Sequence, residues 1–241
     1  MFFDENPEFL ETSNTAASRG RLNLRHLGII MENQDVLKGS RVVDIASHDG
    51  RWAYAALDAG AAHVTGIEGR PELVDHACRT FAEKGVAPDA YRFLQGDVHE
   101  KLQDSGVKAD VVMCLGFLYH TSRYAELFAG IASTEAEYVI VDTRVLLGVQ
   151  GPMVEVRAER TAHQATALRD RYALGDRVIS AVPSEEAVVL MLEAAGYVVD
   201  HRTDWTRLLD QHPRARQVIQ YRNGRRVTFR ARRSERPANV G

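Results

Sequence analysis

The sequence predicts an α/β fold in which a doubly wound, mostly parallel sheet ends in an antiparallel C-terminal strand pair. Three observations lead to this prediction. From residue 41 onward, short β-branched runs alternate with helical stretches across short loops. Runs such as DVVMCL and YVIVD are apolar almost throughout, which is typical of parallel strands covered on both faces. An Asn-Gly dipeptide near the C-terminus indicates a late hairpin.

The alternating part contains five predicted strands with helices between them. The strands are predicted over Arg41–Ala46, His63–Glu68, Ala90–Gln95, Ala109–Leu115 and Glu137–Asp142. The helices are predicted over Arg51–Ala59, Pro71–Lys84, Val98–Gln103 and Arg123–Ala132. Three glycines lie at or near the predicted helix ends, as C-caps do: Gly60, Gly85 and Gly130.

Two segments flank or interrupt this alternation. Residues 1–38 carry apolar residues at helical spacing, from Leu22 to Met31, and predict a helical cap on a main domain of residues 39–241. Residues 145–182 show no strand–helix repeat. An insertion of that length predicts a lid or a substrate-binding element.

Further elements are predicted after the insertion. Ser184 is the expected N-cap of a helix that stops at Gly196. Tyr197–His201 is the next predicted strand. Gln217–Tyr221 and Arg226–Ala231 then read as a hairpin around an Asn-Gly turn. Which two of these three late strands pair with each other is left open by the sequence.

The composition indicates a globular protein of one α/β domain with additions. The chain has 241 residues, 45% of them hydrophobic, and a net charge of -3, which argues against general nucleic-acid binding. The charge is uneven, because His201–Gly241 holds eleven arginines and three acidic residues. A positively charged sheet edge is the expected role of this segment. Contact with phosphates or an acidic partner is the alternative.

Cellular location is predicted from weaker signals. Cys78 and Cys114 lack a metal-binding spacing and are expected to be buried, reduced thiols of a cytoplasmic protein. The N-terminal residues show no signal-peptide pattern. No stretch approaches the run of about 18 apolar residues that a membrane span needs.

The stretch RVVDIASHDG, Arg41–Gly50, predicts a strand, a tight turn and the start of a helix. Such a turn presents backbone N–H groups and a helix N-terminus to a ligand. Two more acids follow at the ends of the next two predicted strands. Glu68 comes 24 residues after Asp44, where an acid binds ribose hydroxyls, and Asp97 follows the third strand. Three acids at successive strand ends indicate a nucleotide-like ligand.

This set of acids, together with Gly50, resembles class I S-adenosylmethionine-dependent methyltransferases. The resemblance runs over about residues 40–144 and resumes at PSEEAVVLMLEAAGY. It implies a seven-stranded Rossmann-like methyltransferase fold with S-adenosylmethionine as cofactor. It also implies these cofactor contacts: Asp44 and the turn residues Ala46, Ser47 and Gly50 at the methionine part, Glu68 and Gly69 at the ribose, Asp97 and Val98 at the adenine, and Leu115 in the pocket wall. Ala46 and His48 depart from the family pattern, because glycines are common there.

The loop after the fourth strand, Leu115–Thr121, has an LGxLYH pattern that resembles a loop of many class I methyltransferases. A tRNA wobble-uridine alkyltransferase family carries a similar LYH run. Methyl transfer to a hydroxyl releases a proton, and a histidine is a natural general base. His120 is therefore the candidate base, and Tyr119 a candidate substrate-binding residue. A purely structural hydrogen-bonding role for His120 is the alternative.

The fifth strand ends in Asp142 and Arg144, at the same edge of the sheet. Asp142 is a candidate catalytic residue, either as a second base or as a ligand of a divalent metal. His120 and Glu155 would have to complete that metal site, and no Asp-Asp or Asp-Asn pair indicates one. Arg144 is a candidate for binding an anion or a sugar hydroxyl of the substrate.

These observations predict an S-adenosylmethionine-dependent O-methyltransferase that acts on a hydroxylated small molecule. More loosely, the chain resembles the sugar O-methyltransferases of mycobacterial methylated-polysaccharide pathways. One alternative is an RNA-directed methyl- or alkyltransferase, based on the LYH loop and the basic C-terminal segment. Another is a regulatory protein that binds S-adenosylmethionine without turnover.

Overall fold

The structure is a computed structural model that describes residues 1–12, 18–104, 106–161, 167–212 and 218–235. The strands within these ranges are β1 (Arg41–Ile45), β2 (His63–Glu68), β3 (Tyr91–Gln95), β4 (Val111–Leu115), β5 (Tyr138–Arg144), β6 (Val154–Arg160), β7 (Arg177–Pro183), β8 (Tyr197–Arg202) and β9 (Arg226–Arg233). β1 to β5 agree with the five predicted strands to within two residues at each end.

Seven of these strands form one sheet in the order β3-β2-β1-β4-β5-β9-β8. β1 to β5 run parallel, and β9 lies antiparallel between β5 and β8. This topology confirms the predicted doubly wound, mostly parallel sheet with an antiparallel C-terminal pair. The strand order reverses between β1 and β4, and α/β sheets bind ligands in the crevice at such a point.

Helices cover both faces of the sheet. They are α1 (Phe2–Glu5), α2 (Ser18–Arg25), α3 (Gln34–Leu37), α4 (Arg51–Asp58), α5 (Pro71–Glu83), α6 (Val98–Asp104), α7 (Tyr124–Ser133), α8 (Glu185–Ala194), α9 (Trp205–Gln211) and α10 (Ile219–Arg222). Short 3₁₀ turns occur at Pro7–Leu10, Met31–Asn33 and Leu118–His120, and a π turn follows α2. α8 has the expected N-cap, because Ser184 Oγ accepts the N–H of Ala187 at 3.1 Å.

Aromatic packing attaches the N-terminal residues to helices α4 and α5. Phe3 and Phe9 are fully buried, and the Phe3 ring meets Trp52 of α4 edge-on at 5.5 Å. The Phe9 ring lies 5.2 Å from Tyr54 and 6.4 Å from Phe81. Aromatic pairs of this kind contribute beyond the area that they bury. They hold the chain that leads into α2 next to the start of α4.

The predicted late hairpin is wrong in its first strand. Ile219–Arg222 forms helix α10, and Gln217 lies outside the described residues. The reason is the burial of Tyr221, whose ring stacks on Trp205 of α9 at 3.8 Å. The Asn-Gly turn exists, with Gly224 in the left-handed region, but it joins α10 to β9. β9 therefore pairs with β5 and β8.

The segment 145–182 contains more regular structure than its sequence suggested. β6 and β7 form a separate antiparallel ribbon, in register from Val154 opposite Pro183 to Arg160 opposite Arg177. Alternation of apolar and polar residues in VEVRAER is the signal for this strand.

Three smaller expectations also meet the structure. Gly130 lies inside α7 rather than at its end. Glycine allows α7 to pack closely there, because a Cβ at this position would come within 2.8 Å of Leu102 Cβ. Cys78 is exposed, so the expectation that both thiols are buried is wrong for it. Among the described residues, no helix is long and apolar enough to span a membrane.

Candidate active site

A cavity opens at the carboxyl edge of the sheet, beside the point where the strand order reverses. Eight of the thirteen predicted site residues line it: Ala46, Glu68, Gly69, Asp97, Val98, Leu115, Tyr119 and His120. Five lie outside its wall: Asp44, Ser47, Gly50, Asp142 and Arg144. The sequence therefore locates the cavity correctly but does not separate its wall from the layer behind it.

The turn after β1 has left-handed backbone at alternate positions. Ala46, His48 and Gly50 have φ of +53°, +55° and +79°. A left-handed conformation costs a non-glycine residue roughly 1–2 kcal/mol. The two departures from the family pattern are thus the positions at which glycine would be unstrained. The N–H of His48 points at Glu68, donating to Oε2 at 3.0 Å, so the strained conformation serves a contact between β1 and β2.

A buried carboxylate fixes this turn from behind. Asp49 is fully buried and accepts from Arg51 at both oxygens, at 2.7 Å and 2.6 Å. The hydroxyl of Thr12 also donates to it. Burial alone would raise the pKa of Asp49, but the adjacent Arg51 guanidinium and His48 hold it well below its usual range. The turn is therefore held rigid by a satisfied ion pair.

We expect Ala46→Gly to stabilise the protein by about 1 kcal/mol, because it relieves left-handed strain at φ +53°. The control is Ala129→Gly at an exposed position in the interior of α7, where the same change should destabilise by roughly 0.5–1 kcal/mol. Urea unfolding of both variants measures the two free energies. An equal change in the free energy of unfolding in the two variants would contradict backbone strain at Ala46.

Three residues near this turn lie outside the wall, Asp44 of β1 and the turn residues Ser47 and Gly50, and they differ in environment. Asp44 is fully buried, and its Oδ2 has no hydrogen-bond partner; the Ser47 hydroxyl has none either. Burial, with Asp49 and Glu68 nearby, raises the pKa of Asp44 well above its usual value. Gly50 packs on the aromatic cluster, because a Cβ there would lie 2.9 Å from the Phe81 ring. Unpaired buried oxygens fit a ligand that donates hydrogen bonds. Direct contact of these three residues with the methionine part stays a prediction.

Glu68 lies in the cavity wall at the end of β2. Its Oε2 accepts the His48 N–H, and its Oε1 accepts the N–H of Arg70 at 2.9 Å. Each carboxylate oxygen has a second lone-pair site, so the group keeps capacity for ligand hydroxyls. Gly69 follows, and Leu168 from the β6–β7 segment lies directly against it, 2.1 Å from where a Cβ would be.

Asp97 and Val98 line the cavity at the start of α6. Asp97 Oδ1 accepts both the backbone N–H of His99 and its ring Nδ1, each at 2.8 Å, and Oδ2 accepts from Arg123 at 2.6 Å. Burial opposes ionisation, but these donors hold the pKa of Asp97 well below its usual range. Asp97 is therefore a fixed anion whose oxygens are already partly engaged. Its contact with an adenine amine stays a prediction.

His120 forms a pair that the sequence did not predict. Its Nδ1 lies 2.8 Å from Oε1 of Glu159, which comes from β6. Both side chains are about four-fifths buried, at 19% and 20% exposed. Burial would raise the pKa of Glu159, but the histidine lowers it below its usual value. The alternating pattern around Glu159 was readable in the sequence, but nothing there indicated its partner.

Asp142, predicted as a catalytic base or metal ligand, has a different role. It is fully buried and accepts at Oδ1 from Arg226 (2.7 Å) and Arg25 (2.9 Å). Its Oδ2 accepts from the hydroxyls of Tyr221 (2.7 Å) and Thr228 (2.8 Å). Despite burial, the two guanidiniums hold its pKa well below the usual range. With its oxygens occupied and no face on the cavity, Asp142 anchors arginines rather than accepting a substrate proton. The prediction of a catalytic Asp142 is corrected accordingly.

These anchored arginines form one end of the cavity, together with Arg21. Arg226 also donates to Tyr119 Oη at 3.3 Å. Burial would raise the pKa of Tyr119, but the positive charges of Arg226 and Arg144 lower it below its usual value. Arg144 is exposed and lies 4.7 Å from the Tyr119 ring. Arg144 therefore lies beside Tyr119 at the margin of this positive end, and its contact with a substrate stays a prediction.

The metal arrangement considered for Asp142 is not found. Glu155 is exposed and paired with Arg157 at 2.6 Å, and the carboxylate that contacts His120 is that of Glu159. Among the described residues, no group of three His, Cys, Asp or Glu side chains is placed to hold a metal ion.

We expect Asp142→Asn to destabilise the fold by about 3–5 kcal/mol, because it leaves buried guanidiniums without their counter-charge. Since the folded-state pKa of Asp142 is lowered, its contribution is present above about pH 4 and is lost as the pH falls through the folded value.

Urea unfolding between pH 7 and pH 3 tests this expectation. The control is Glu155→Gln, whose exposed pair with Arg157 should leave the unfolding midpoint unchanged. A wild-type midpoint for Asp142→Asn would contradict the structural role.

Comparison with known proteins is informative for part of the chain. Residues 42–134 match the sequence model of a family described as a methyltransferase domain. This match spans β1 to α7, and hence the turn, Glu68, Asp97 and the His120 loop. Comparison with curated protein sequences gives no significant match.

Solved structures resemble nearly the whole fold at low identity. The N-terminal domain of EvdMO1 with SAH (S-adenosylhomocysteine) bound is 18% identical, with a TM-score of 0.58 over 93% of this chain and 83% of that chain. An S-adenosylmethionine-dependent methyltransferase from Mesorhizobium loti is 15% identical, with a TM-score of 0.58 over 91% and 99%. A putative RNA methyltransferase from Pyrococcus horikoshii is 14% identical, with a TM-score of 0.54 over 94% and 89%. At these identities the likeness concerns the fold alone.

Proposed function

We propose that this protein, an S-adenosylmethionine-dependent methyltransferase, transfers the methyl group to a hydroxyl oxygen of a small molecule. The observation that carries the proposal is the position of His120 in the cavity wall, where its ring is paired with Glu159. A hydroxyl acceptor must lose a proton, whereas the sulfonium of the cofactor already activates the methyl carbon. A positioned base is therefore the group that this reaction needs from the chain.

The cavity wall fits the cofactor at several points. Glu68 offers carboxylate lone pairs at the end of β2, suited to a ribose diol. Gly69 and Gly116 bring bare backbone to the wall; a Cβ on Gly116 would lie 3.1 Å from an Arg226 nitrogen. Val98 and Leu115 supply apolar surface. S-adenosylmethionine bound along this wall would supply the activated methyl group.

Glu159 determines which nitrogen of His120 can act. A carboxylate accepts the N–H of Nδ1, so the neutral imidazole carries its free lone pair on Nε2. Nε2 then takes the acceptor proton, and Glu159 stabilises the imidazolium that results. The backbone N–H of His120 donates to the Phe117 carbonyl at 2.7 Å, which fixes the loop that carries the ring. The positive charge that forms on the ring is therefore paired with the Glu159 carboxylate as soon as the proton is transferred.

We expect His120→Ala to lower kcat by about 100- to 10,000-fold, the usual contribution of a general base. Affinity for S-adenosylhomocysteine should change little. Glu159→Gln should lower kcat by a smaller factor, and Glu155→Gln on the same strand should have no effect, because its side chain is exposed and faces Arg157.

The assay is release of S-adenosylhomocysteine with a panel of hydroxylated compounds, beside calorimetry of S-adenosylhomocysteine binding. Unchanged turnover in His120→Ala would contradict the base. Cofactor binding without methylation of any compound would favour a regulatory, non-catalytic protein.

We expect Glu68→Ala to raise the Kd for S-adenosylhomocysteine about 10- to 100-fold, because hydrogen bonds to a charged group contribute roughly 1.5–3 kcal/mol. Glu68→Gln keeps one acceptor oxygen for the turn and separates loss of charge from loss of the turn contact. The control is Glu72→Gln, on the exposed first turn of α5. Calorimetry measures all three, and equal Kd values in wild type and Glu68→Ala would overturn the ribose assignment.

A small acceptor is better supported than RNA. Several arginines of the basic C-terminal segment are paired within the chain: Arg202 with Glu185, Arg207 with Glu32, and Arg230 with Asp35 and Asp200. Such pairing leaves less positive surface for phosphates. A salt-dependent RNA shift on a gel would favour the RNA alternative instead.

A further inference from the structure

The arginine end of the cavity carries more positive charge than the chain compensates. Arg21, Arg25 and Arg226 all line it, and Asp142 is the carboxylate that pairs with two of them. Two positive charges therefore remain. Buried charges are normally paired, because removing an ion from water without a partner is unfavourable.

Arg21 is the guanidinium without a partner. It is half-buried, and it makes no hydrogen bond or ion pair with any residue in the described ranges. The residues outside those ranges include no Asp or Glu. Burial and repulsion from Arg25 and Arg226 lower the pKa of Arg21. The fold thus holds an unfavourable charge at the cavity wall, which a ligand of opposite charge would relieve.

The cationic groups converge on one place. A Cβ built on Gly116 would lie 3.1 Å from Arg226 Nη2, 3.6 Å from Tyr119 Oη and 3.9 Å from Arg25 Nη2. Gly116 has φ +93°, a backbone conformation that glycine adopts readily and that other residues at this position would adopt only with strain. Guanidiniums with fixed orientation match the geometry of carboxylates and phosphates. Tyr119 adds a hydroxyl donor at the same point.

This site adjoins the proposed base. The rings of Tyr119 and His120 are 4.3 Å apart, centroid to centroid, on the same 3₁₀ turn. Arg25 and Arg226 are at least nine-tenths buried and both line the cavity, so a ligand group that reaches their guanidiniums must enter the cavity. A molecule held there would present a neighbouring hydroxyl to His120.

We propose that the acceptor is a hydroxylated anion, whose carboxylate or phosphate group binds Arg21, Arg25 and Arg226 while His120 takes the proton of its hydroxyl. This proposal rests on the proposed O-methyl transfer and narrows its substrate class. In this proposal Arg21 is a substrate-binding residue, and its positive charge binds the anionic group of the acceptor. Guanidinium groups recognise carboxylate and phosphate by the same paired hydrogen bonds.

The first test compares acceptors in matched pairs that differ in charge: glucuronate with glucose, glucose 6-phosphate with glucose, and 4-hydroxybenzoate with its methyl ester. We expect kcat/KM for the anionic member of at least one pair to exceed that of its neutral partner about 10- to 100-fold. Which pair responds identifies carboxylate or phosphate. Equal or better turnover of the neutral members would overturn the proposal while leaving O-methyl transfer intact.

The second test uses Arg21→Leu. The variant should raise KM for the anionic acceptor about 10- to 100-fold, and Arg21→Lys should recover part of the loss. Its melting temperature should equal or exceed that of wild type, because an unpaired, half-buried charge is removed. Arg19→Leu is the matched control, two residues away on α2, with a 57% exposed side chain. A lower melting temperature with unchanged KM would make Arg21 structural and overturn the proposal.

The carboxylate of the cofactor's methionine part is the other source of an anion. Calorimetry with S-adenosylhomocysteine and with 5′-methylthioadenosine, which lacks that part, separates the two. If Arg21→Leu weakens binding of the first compound alone, the cation serves the cofactor and the acceptor proposal fails. Unchanged affinity for both supports it.

Binding measurements separate this proposal from the proposed reaction. Benzoate, inorganic phosphate and neutral benzyl alcohol are titrated into enzyme loaded with S-adenosylhomocysteine. Anion binding that depends on Arg21, without methylation of any hydroxyl compound, would sink O-methyl transfer and keep the anion site. Methylation of neutral compounds without anion binding would do the reverse.

Discussion

One buried carboxylate holds the active-site end of this protein together. Asp142 accepts hydrogen bonds from three elements. The donors are Arg25 of α2, Arg226 and Thr228 of β9, and Tyr221 of α10. Burial, with Asp142 adjacent, raises the pKa of Tyr221 to about 12, so its hydroxyl stays a donor. Elements far apart in the chain therefore meet at the fully buried Asp142 carboxylate. Their positions around it determine the shape of this end of the cavity.

The same network prepares the cavity for charge. Arg25 and Arg226 each donate to Asp142, and this contact fixes the orientation of their guanidiniums before a ligand binds. Arg21 adds charge without a carboxylate among the described residues. Preorganised positive groups in a water-poor site stabilise negative charge more strongly than they would in water. They therefore favour an anionic ligand and also the oxygen that becomes electron-rich as its proton leaves.

The sequence revealed the parts of this arrangement that are encoded locally. β1 to β5 follow from apolar runs bounded by turn residues, and Glu68 and Asp97 follow from their positions at strand ends. Contacts over long separations left no such trace. Arg25 and Asp142 are 117 residues apart, and His120 and Glu159 are 39 apart. A pattern that reports local geometry identifies an acid at a sheet edge, but only packing decides whether that acid anchors arginines or faces a ligand.

The turn after β1 shows how such long-range contacts outweigh local preference. Ala46 and His48 accept left-handed backbone although glycine would adopt it without strain. The conformation aims the His48 N–H at Glu68, and the Asp49–Arg51 pair holds the turn from behind. The free energy contributed by several satisfied hydrogen bonds together exceeds a strain of roughly 1–2 kcal/mol per residue. A poor match to a glycine pattern is therefore weak evidence against a ligand site, because the fold supplies what the residue type does not.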